Sequence, residues 1–198
     1  SSALSILVEK NLMSERSQFV TFILLVVVAG VVLFILAMFT VYEVNGLSMA
    51  PELSDKEHVI VYEGVPDQLR RWEVILYQQT GNTLVGVKRI IGLPGEKITI
   101  GGWAVFVNDE ILEESYLSDG MQTCVPVDCS SNQQISFEVP VWAYFVLGDN
   151  RTVSRDSREC HGDTLCSEEM GRYVSHSDVQ GRILTSLPSW LSTLSTNP

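Results

Sequence analysis

The sequence predicts a mainly β protein: a single N-terminal transmembrane helix followed by a domain of antiparallel β-sheets. Three observations carry this. Residues 19–41 form a run of 23 residues without a charged side chain. Beyond it, short stretches of β-branched and aromatic residues are punctuated by Gly, Pro, Asn and Asp, the pattern of strands and hairpins. No later segment of ten or more residues carries helical periodicity, so the remainder reads as all-β.

Taken in order, residues 1–18 read as a short polar or amphipathic cytoplasmic lead. Residues 19–41 read as an uncleaved single-pass anchor. A helix of this length rises about 30 Å, the thickness of a bilayer's hydrocarbon core. The run is longer than the apolar part of a cleavable signal, and Tyr42-Glu43-Val44-Asn45 behind it offers no small-residue cleavage site. It is apolar all round rather than striped, which argues against a buried core helix. Lys10 and Arg16 precede it and no basic residue follows until Lys56. The positive-inside rule then places the N-terminus in the cytoplasm and the domain outside, at the plasma membrane.

The domain, residues 42–198, opens with predicted strands at 58–62 and 72–77. Residues 83–91 form a third, leading into the turn Gly92-Leu93-Pro94-Gly95. Strands at 97–100 and 103–107 flank Gly101-Gly102, and Asn108-Asp109 turns the chain into 110–112. A last strand is expected over 141–147. Two stretches read as Cys-containing inserts, 118–134 and 159–170. Residues 183–198 are mildly apolar, but too short and too polar to span a membrane.

The chain holds 13 Lys and Arg against 24 Asp and Glu, a net charge of −11. That opposes nucleic-acid binding, which calls for a basic patch. It also gives no attraction to anionic lipid headgroups, so contact with the lipid bilayer rests on the apolar segment. The four cysteines fall in two close pairs, Cys124 with Cys129 and Cys160 with Cys166. In a translocated domain such pairs favour disulfides, and local pairing is the simplest of three connectivities. A zinc site using these cysteines and His161 is the rival, but C-x4-C and C-x5-C do not match the common C-x2-C spacing. No metal or cofactor is expected.

Three blocks carry the chemistry. The first is Gly46-Leu47-Ser48-Met49-Ala50-Pro51. The second is Val87-Lys88-Arg89-Ile90-Ile91-Gly92-Leu93-Pro94-Gly95-Glu96. The third runs Gly148-Asp149-Asn150-Arg151-Thr152-Val153-Ser154-Arg155-Asp156-Ser157-Arg158. A serine attacks only when a base takes its proton. A lysine can serve once its pKa of about 10.4 falls toward neutrality, which burial achieves. Lys88 lies in an apolar strand, as that demands. Alternation places Lys88 and Ile90 on one face, Val87 and Arg89 on the other, with Arg89 reaching solvent or a carboxylate. The histidines, His58, His161 and His176, sit in none of the blocks, which disfavours a Ser-His-Asp triad.

In this order and spacing, the blocks resemble those of type I signal peptidases, membrane-bound serine proteases that remove secretory signal peptides. The resemblance spans about residues 41–182. It implies a fold of coiled antiparallel sheets, with Ser48 as nucleophile and Lys88 as general base. It implies that Ser154 hydrogen-bonds the lysine amine, that Asp156 and Arg158 form a structural ion pair, and that Met49 lines the substrate pocket. It makes the substrate an extended signal peptide of a preprotein, with small residues first and third before the cut. Where some members carry a hydroxyl as second oxyanion donor, this chain has Gly46. Where the family has Thr after the Pro, it has Glu52. Two other readings stay open: a dedicated processing peptidase serving one pilus or conjugation client, and a non-catalytic membrane-tethered assembly factor of the same fold. The presence of Ser48, Lys88 and Ser154 together speaks against the second.

Overall fold

The computed structural model describes residues 2–78, 85–125, 133–158 and 172–187, with the side chains of the first helix described from residue 16. The chain divides into two units, residues 1–39 and 40–198. The first is one helix, α1, Ser2–Leu36. Its segment Arg16–Leu36, 21 residues of mean hydropathy 3.2, is long and apolar enough to cross a membrane. The helix differs from expectation at both ends. It already includes the polar lead, and it stops at Leu36, because Phe39–Glu43 is strand β1. Hydropathy cannot separate the end of a span from an apolar strand that follows directly. The β-branched and aromatic character of Phe-Thr-Val-Tyr decides for strand once a partner is present.

The second unit is mainly β. Its strands are β2 (His58–Tyr62), β3 (Val74–Tyr77), β4 (Gly86–Gly92), β5 (Lys97–Gly101), β6 (Ala104–Val107), β7 (Glu110–Ile111), β8 (Ile135–Glu138), β9 (Ala143–Leu147), β10 (Val174–Ser175) and β11 (Val179–Ser186). A seven-stranded sheet runs β1-β2-β11-β3-β4-β9-β10, and a four-stranded one runs β7-β6-β5-β8. Register shifts in the β2–β11, β11–β3 and β4–β9 ladders bend the larger sheet and give it its curl. Of these strands, β8, β10 and β11 carried no expectation. β11 joins β2 to β3, so residues 183–186, read as the start of a mildly apolar tail, become the end of an interior strand through tertiary pairing.

Two tight hairpins pin the smaller sheet. Gly102 and Trp103 join β5 to β6 across the pair Gly101 and Ala104, and Asn108 and Asp109 join β6 to β7 across Val107 and Glu110. All four turn residues have positive φ, as a two-residue turn matching strand twist requires. Three apolar clusters form the core. One unites the smaller sheet with β9 through Ile98, Ile100, Phe137, Phe145 and Leu147. A second gathers Val44, Met49, Leu53, Val61, Leu76 and Val87. A third holds Leu69, Ile75, Ile90, Tyr144 and Val146.

Candidate active site

Ser48 follows β1 in a loop that closes on itself. Val44 N–H donates to the Glu57 carbonyl and Lys56 N–H to the Val44 carbonyl, both at 2.8 Å. Gly46, at φ +102°, donates its N–H to Asp55 Oδ1 at 2.6 Å. A positive φ of this size suits glycine alone at low strain. Met49, 1% exposed, anchors the far side of the loop in the cluster with Val87. Ser48 is therefore held between a backbone clasp and a buried methionine.

Lys88 comes from β4, a strand buried from Val87 to Gly92. It lies opposite Ile75 of β3 and is only 6% exposed. Its Nζ lies 2.8 Å from Ser48 Oγ and 2.9 Å from the Val87 carbonyl oxygen. Forty residues apart in sequence, the two groups share a hydrogen bond in the fold.

The third block lies against both. Asn150 N–H donates to the Ser48 carbonyl at 3.0 Å. Arg89, beside Lys88, makes a bidentate pair with Asp149: Nε to Oδ1 at 2.8 Å and Nη2 to Oδ2 at 2.6 Å. Burial works against the guanidinium's charge, but the Asp149 carboxylate outweighs it and holds the Arg89 pKa above its ordinary value. Arg89 thus takes the carboxylate option of the two the sequence allowed. Asp156 and Arg158, both side chains fully buried, pair at 2.8 Å through Nε and again through Nη2. Asp156 Oδ2 also accepts the Gly148 N–H at 3.0 Å. Ser157 is no surface residue: its Oγ accepts from Val146 N–H and its own N–H donates to the Val146 carbonyl.

Ser154 departs from expectation. Its N–H donates to the Asn150 carbonyl, and its Oγ is buried with no hydrogen-bond partner rather than bonded to Lys88. The turn packs this side chain against Gly148, where a Cβ would collide with it, and the lysine amine takes the Val87 carbonyl instead. Sequence reasoning missed Trp72, Glu114, Tyr116 and Thr123, which surround Arg89 and Arg151. Arg151 donates to both Glu114 carboxylate oxygens, to Tyr116 Oη at 2.9 Å and to Thr123 Oγ1. The one available signal was Glu114 and Tyr116 standing two apart just after the hairpin.

Among the described residues, no cluster of three or more His, Cys, Asp or Glu could hold a metal ion. His176 Nδ1 pairs with the Tyr144 hydroxyl at 3.1 Å, and His58 Nδ1 is buried without a partner. No cysteine among the described residues is free, and Cys124 is disulfide-bonded. Cys129, Cys160, Cys166 and His161 lie outside the described residues, as do most of the 126–134 part of the first insert and all of the second.

A hydroxyl bonded to a buried amine, beside a backbone-clamped turn, is an arrangement suited to nucleophilic acyl transfer. A family model described as signal peptidase, peptidase S26, matches residues 16–187. Signal peptidase I U of Bacillus subtilis (strain 168) is 32% identical over 146 residues, 69% of this chain and 78% of that protein. Signal peptidase IB of Staphylococcus aureus is 33% identical over 158 residues, 72% of this chain and 81% of that one. A solved signal peptidase I from Enterococcus faecalis V583 aligns with 60% of this chain and 98% of its own, at 27% identity and a TM-score of 0.43.

Proposed function

The chain belongs to the peptidase S26 family of signal peptidases, serine peptidase hydrolases, and we propose that it removes N-terminal signal peptides from preproteins with Ser48 as nucleophile and Lys88 as general base. The observation that carries the mechanism is the 2.8 Å hydrogen bond between Lys88 Nζ and Ser48 Oγ at a site where the lysine is almost fully buried. Burial disfavours an ammonium and favours a neutral amine with a lone pair to accept the serine proton.

The steps follow from that pair. Neutral Lys88 takes the Ser48 hydroxyl proton as Oγ attacks the scissile carbonyl, and the resulting ammonium returns a proton to the leaving amine. A water, deprotonated by Lys88, then attacks the ester; the bond from the acyl carbon to Oγ breaks, the Lys88 ammonium returns the proton to Ser48 Oγ, and the acid product leaves. The Ser48 N–H is the oxyanion donor in this reading; Gly46 N–H is engaged by Asp55 and does not serve as the second. Met49, expected to line the substrate pocket, is 1% exposed and packed in one cluster with Val87 and Leu76, so in this reading it supports the nucleophile loop from beneath, and the preference for small residues rests on excluding larger ones. Gly148, Asp149, Asn150, Asp156 and Arg158 hold the loop that clamps Ser48. In this reading the segment Arg16–Leu36 anchors the protein in the plasma membrane, with the N-terminus cytoplasmic and the catalytic domain outside. Local pairing, Cys124 with Cys129 and Cys160 with Cys166, closes the two inserts.

The test is cleavage of a purified preprotein in detergent by the wild type, Ser48→Ala and Lys88→Ala, from neutral to alkaline pH. Wild type should cut after a small residue, with kcat rising with pH because the unprotonated amine is the active form. Both variants should fold and be inactive. Robust cleavage by Ser48→Ala overturns the nucleophile assignment. A folded wild type that cuts no general preprotein favours the dedicated-client reading.

A further inference from the structure

Two residues outside all three motif blocks connect to both halves of the site. We propose that Glu114 and Tyr116 are positioning residues for the Ser48–Lys88 pair, acting through Arg151 and Arg89. The inference rests on the Ser–Lys reading above and adds to it the support that keeps the pair in reacting geometry.

Glu114 and Tyr116 are bonded to each other, the phenol donating to Glu114 Oε1 at 2.5 Å. From this unit one path runs through Arg151, whose side chain is 1% exposed against 8% for Glu114. Arg151 Nη1 donates to Glu114 Oε2 at 3.0 Å and its Nε to the Gly148 carbonyl at 2.9 Å. Gly148 opens the turn in which Asn150 N–H holds the Ser48 carbonyl. The second path runs through the Tyr116 ring. The Arg89 guanidinium carbon stands 4.2 Å from the ring centroid, and Trp72 packs edge-on against the same ring at 5.5 Å. Arg89 is the residue after Lys88 and binds both Asp149 and the Trp72 carbonyl. One phenol–carboxylate unit therefore reaches the serine's clamp on one side and the lysine's strand on the other.

The charges explain why the unit is needed. Arg89 and Arg151 bring two positive charges into the interior, and Asp149 and Glu114 bring two negative ones. A buried network of this kind rigidifies its surroundings only when every member is satisfied. Burial pushes the Tyr116 phenol well up from its ordinary value, with Arg151 opposing and Glu114 adding to the rise. It therefore stays a donor to Glu114 across the working pH range. A reacting pair tolerates little displacement, since misplacement by about 1 Å can cost a hundredfold in rate.

The test compares the full chain in detergent with Tyr116→Phe, which keeps the ring over Arg89 but removes the hydroxyl, and Glu114→Gln, which keeps the shape but removes the charge. Steady-state and single-turnover cleavage of a preprotein are measured beside thermal melts. Each variant should lower kcat about tenfold with KM within about twofold, the split expected when only the reacting geometry is lost. The double variant should be no slower than the worse single one, because both act on one unit. If Glu114→Gln fails to fold, Tyr116→Phe alone decides. A folded Tyr116→Phe with wild-type kcat, while Ser48→Ala is inactive, overturns the positioning role and leaves the Ser–Lys reading standing. Losses that simply add and follow melting temperature also overturn it. Retained cleavage by Ser48→Ala overturns both.

Discussion

Replacing Gly148 by alanine probes how tightly the third block is fitted to the nucleophile. A Cβ at this position would lie 2.5 Å from the Ser48 carbonyl oxygen and 2.5 Å from Ser154 Cβ, where ordinary contact begins near 3.4 Å. Something must therefore move by about 0.9 Å (3.4 − 2.5). The nearest atom, Ser154 Oγ, has no hydrogen-bond partner and can turn aside, but the two atoms at 2.5 Å are tethered. The Ser48 carbonyl is held by Asn150 N–H at 3.0 Å, and Ser154 N–H is held by the Asn150 carbonyl at 3.1 Å. Gly148 itself is fixed by Asp156 at its N–H and Arg151 at its carbonyl. Overpacking of this kind costs about 1–3 kcal/mol, or roughly 2–12 °C of melting temperature for a domain of this size. The larger effect falls on catalysis, because relieving the contact with the Ser48 carbonyl displaces Ser48 or the Asn150 N–H that holds it. A shift approaching 1 Å there should lower kcat on the order of a hundredfold. Gly181→Ala is the control. Its Cβ would meet Val61 at 2.5 Å and the Tyr62 carbonyl at 2.7 Å, so it should destabilise the fold comparably while kcat stays within about threefold of wild type. Gly148→Ala with wild-type kcat, or two variants losing activity equally, would refute the argument that Gly148 is kept bare to seat Ser48.

Two further outcomes are expected. Burial, and then the nearby Asp156 charge, push the Tyr77 phenol up from 10.0 to about 12. A raised folded-state pKa means that this contribution is complete below pH 10 and is lost as pH rises toward 12. It amounts to at most about 3 kcal/mol; denaturant melts from pH 9 to 12 should show the decline, and Tyr77→Phe should flatten it, whereas an unchanged slope in Tyr77→Phe removes Tyr77 as its source. The proposed pairing of all four cysteines predicts no free thiol in denatured, unreduced protein by thiol titration, and four free thiols would reject it.

Much of this protein was legible in the sequence because its strongest signals are local. An uncharged apolar run marks a helix long and apolar enough to cross a membrane, though not where that helix ends. Asn108-Asp109 marks its hairpin by turn chemistry alone, and Gly101-Gly102 marks the other one residue early, the turn itself being Gly102-Trp103. The three blocks were readable as one site through their resemblance, in order, to those of type I signal peptidases, and the fold brings Ser48 and Lys88 within hydrogen-bond distance. The strands that sequence missed are those defined by their partners. β11 is half polar and acquires its identity between β2 and β3, and β1 was hidden inside the apolar run. The supporting residues were hidden for a related reason. Glu114 and Tyr116 look like surface polar residues until folding brings Arg151 and Arg89 to them from 37 and 27 positions away.

The sequence by itself therefore determined the kind of protein: a helix long and apolar enough to cross a membrane, an antiparallel β domain, and a serine and a lysine in blocks that resemble those of a peptidase family. The tertiary structure alone decided that Lys88 Nζ meets Ser48 Oγ at 2.8 Å, that Asn150 rather than a side chain clamps the nucleophile's backbone, and that Ser154 Oγ turns away from the amine into a buried site. The physical reason is range. Turn chemistry, strand alternation and hydropathy act over a few residues, whereas these contacts join groups 40 and more apart, and their distances are set by the curl of the sheet and the packing beneath it.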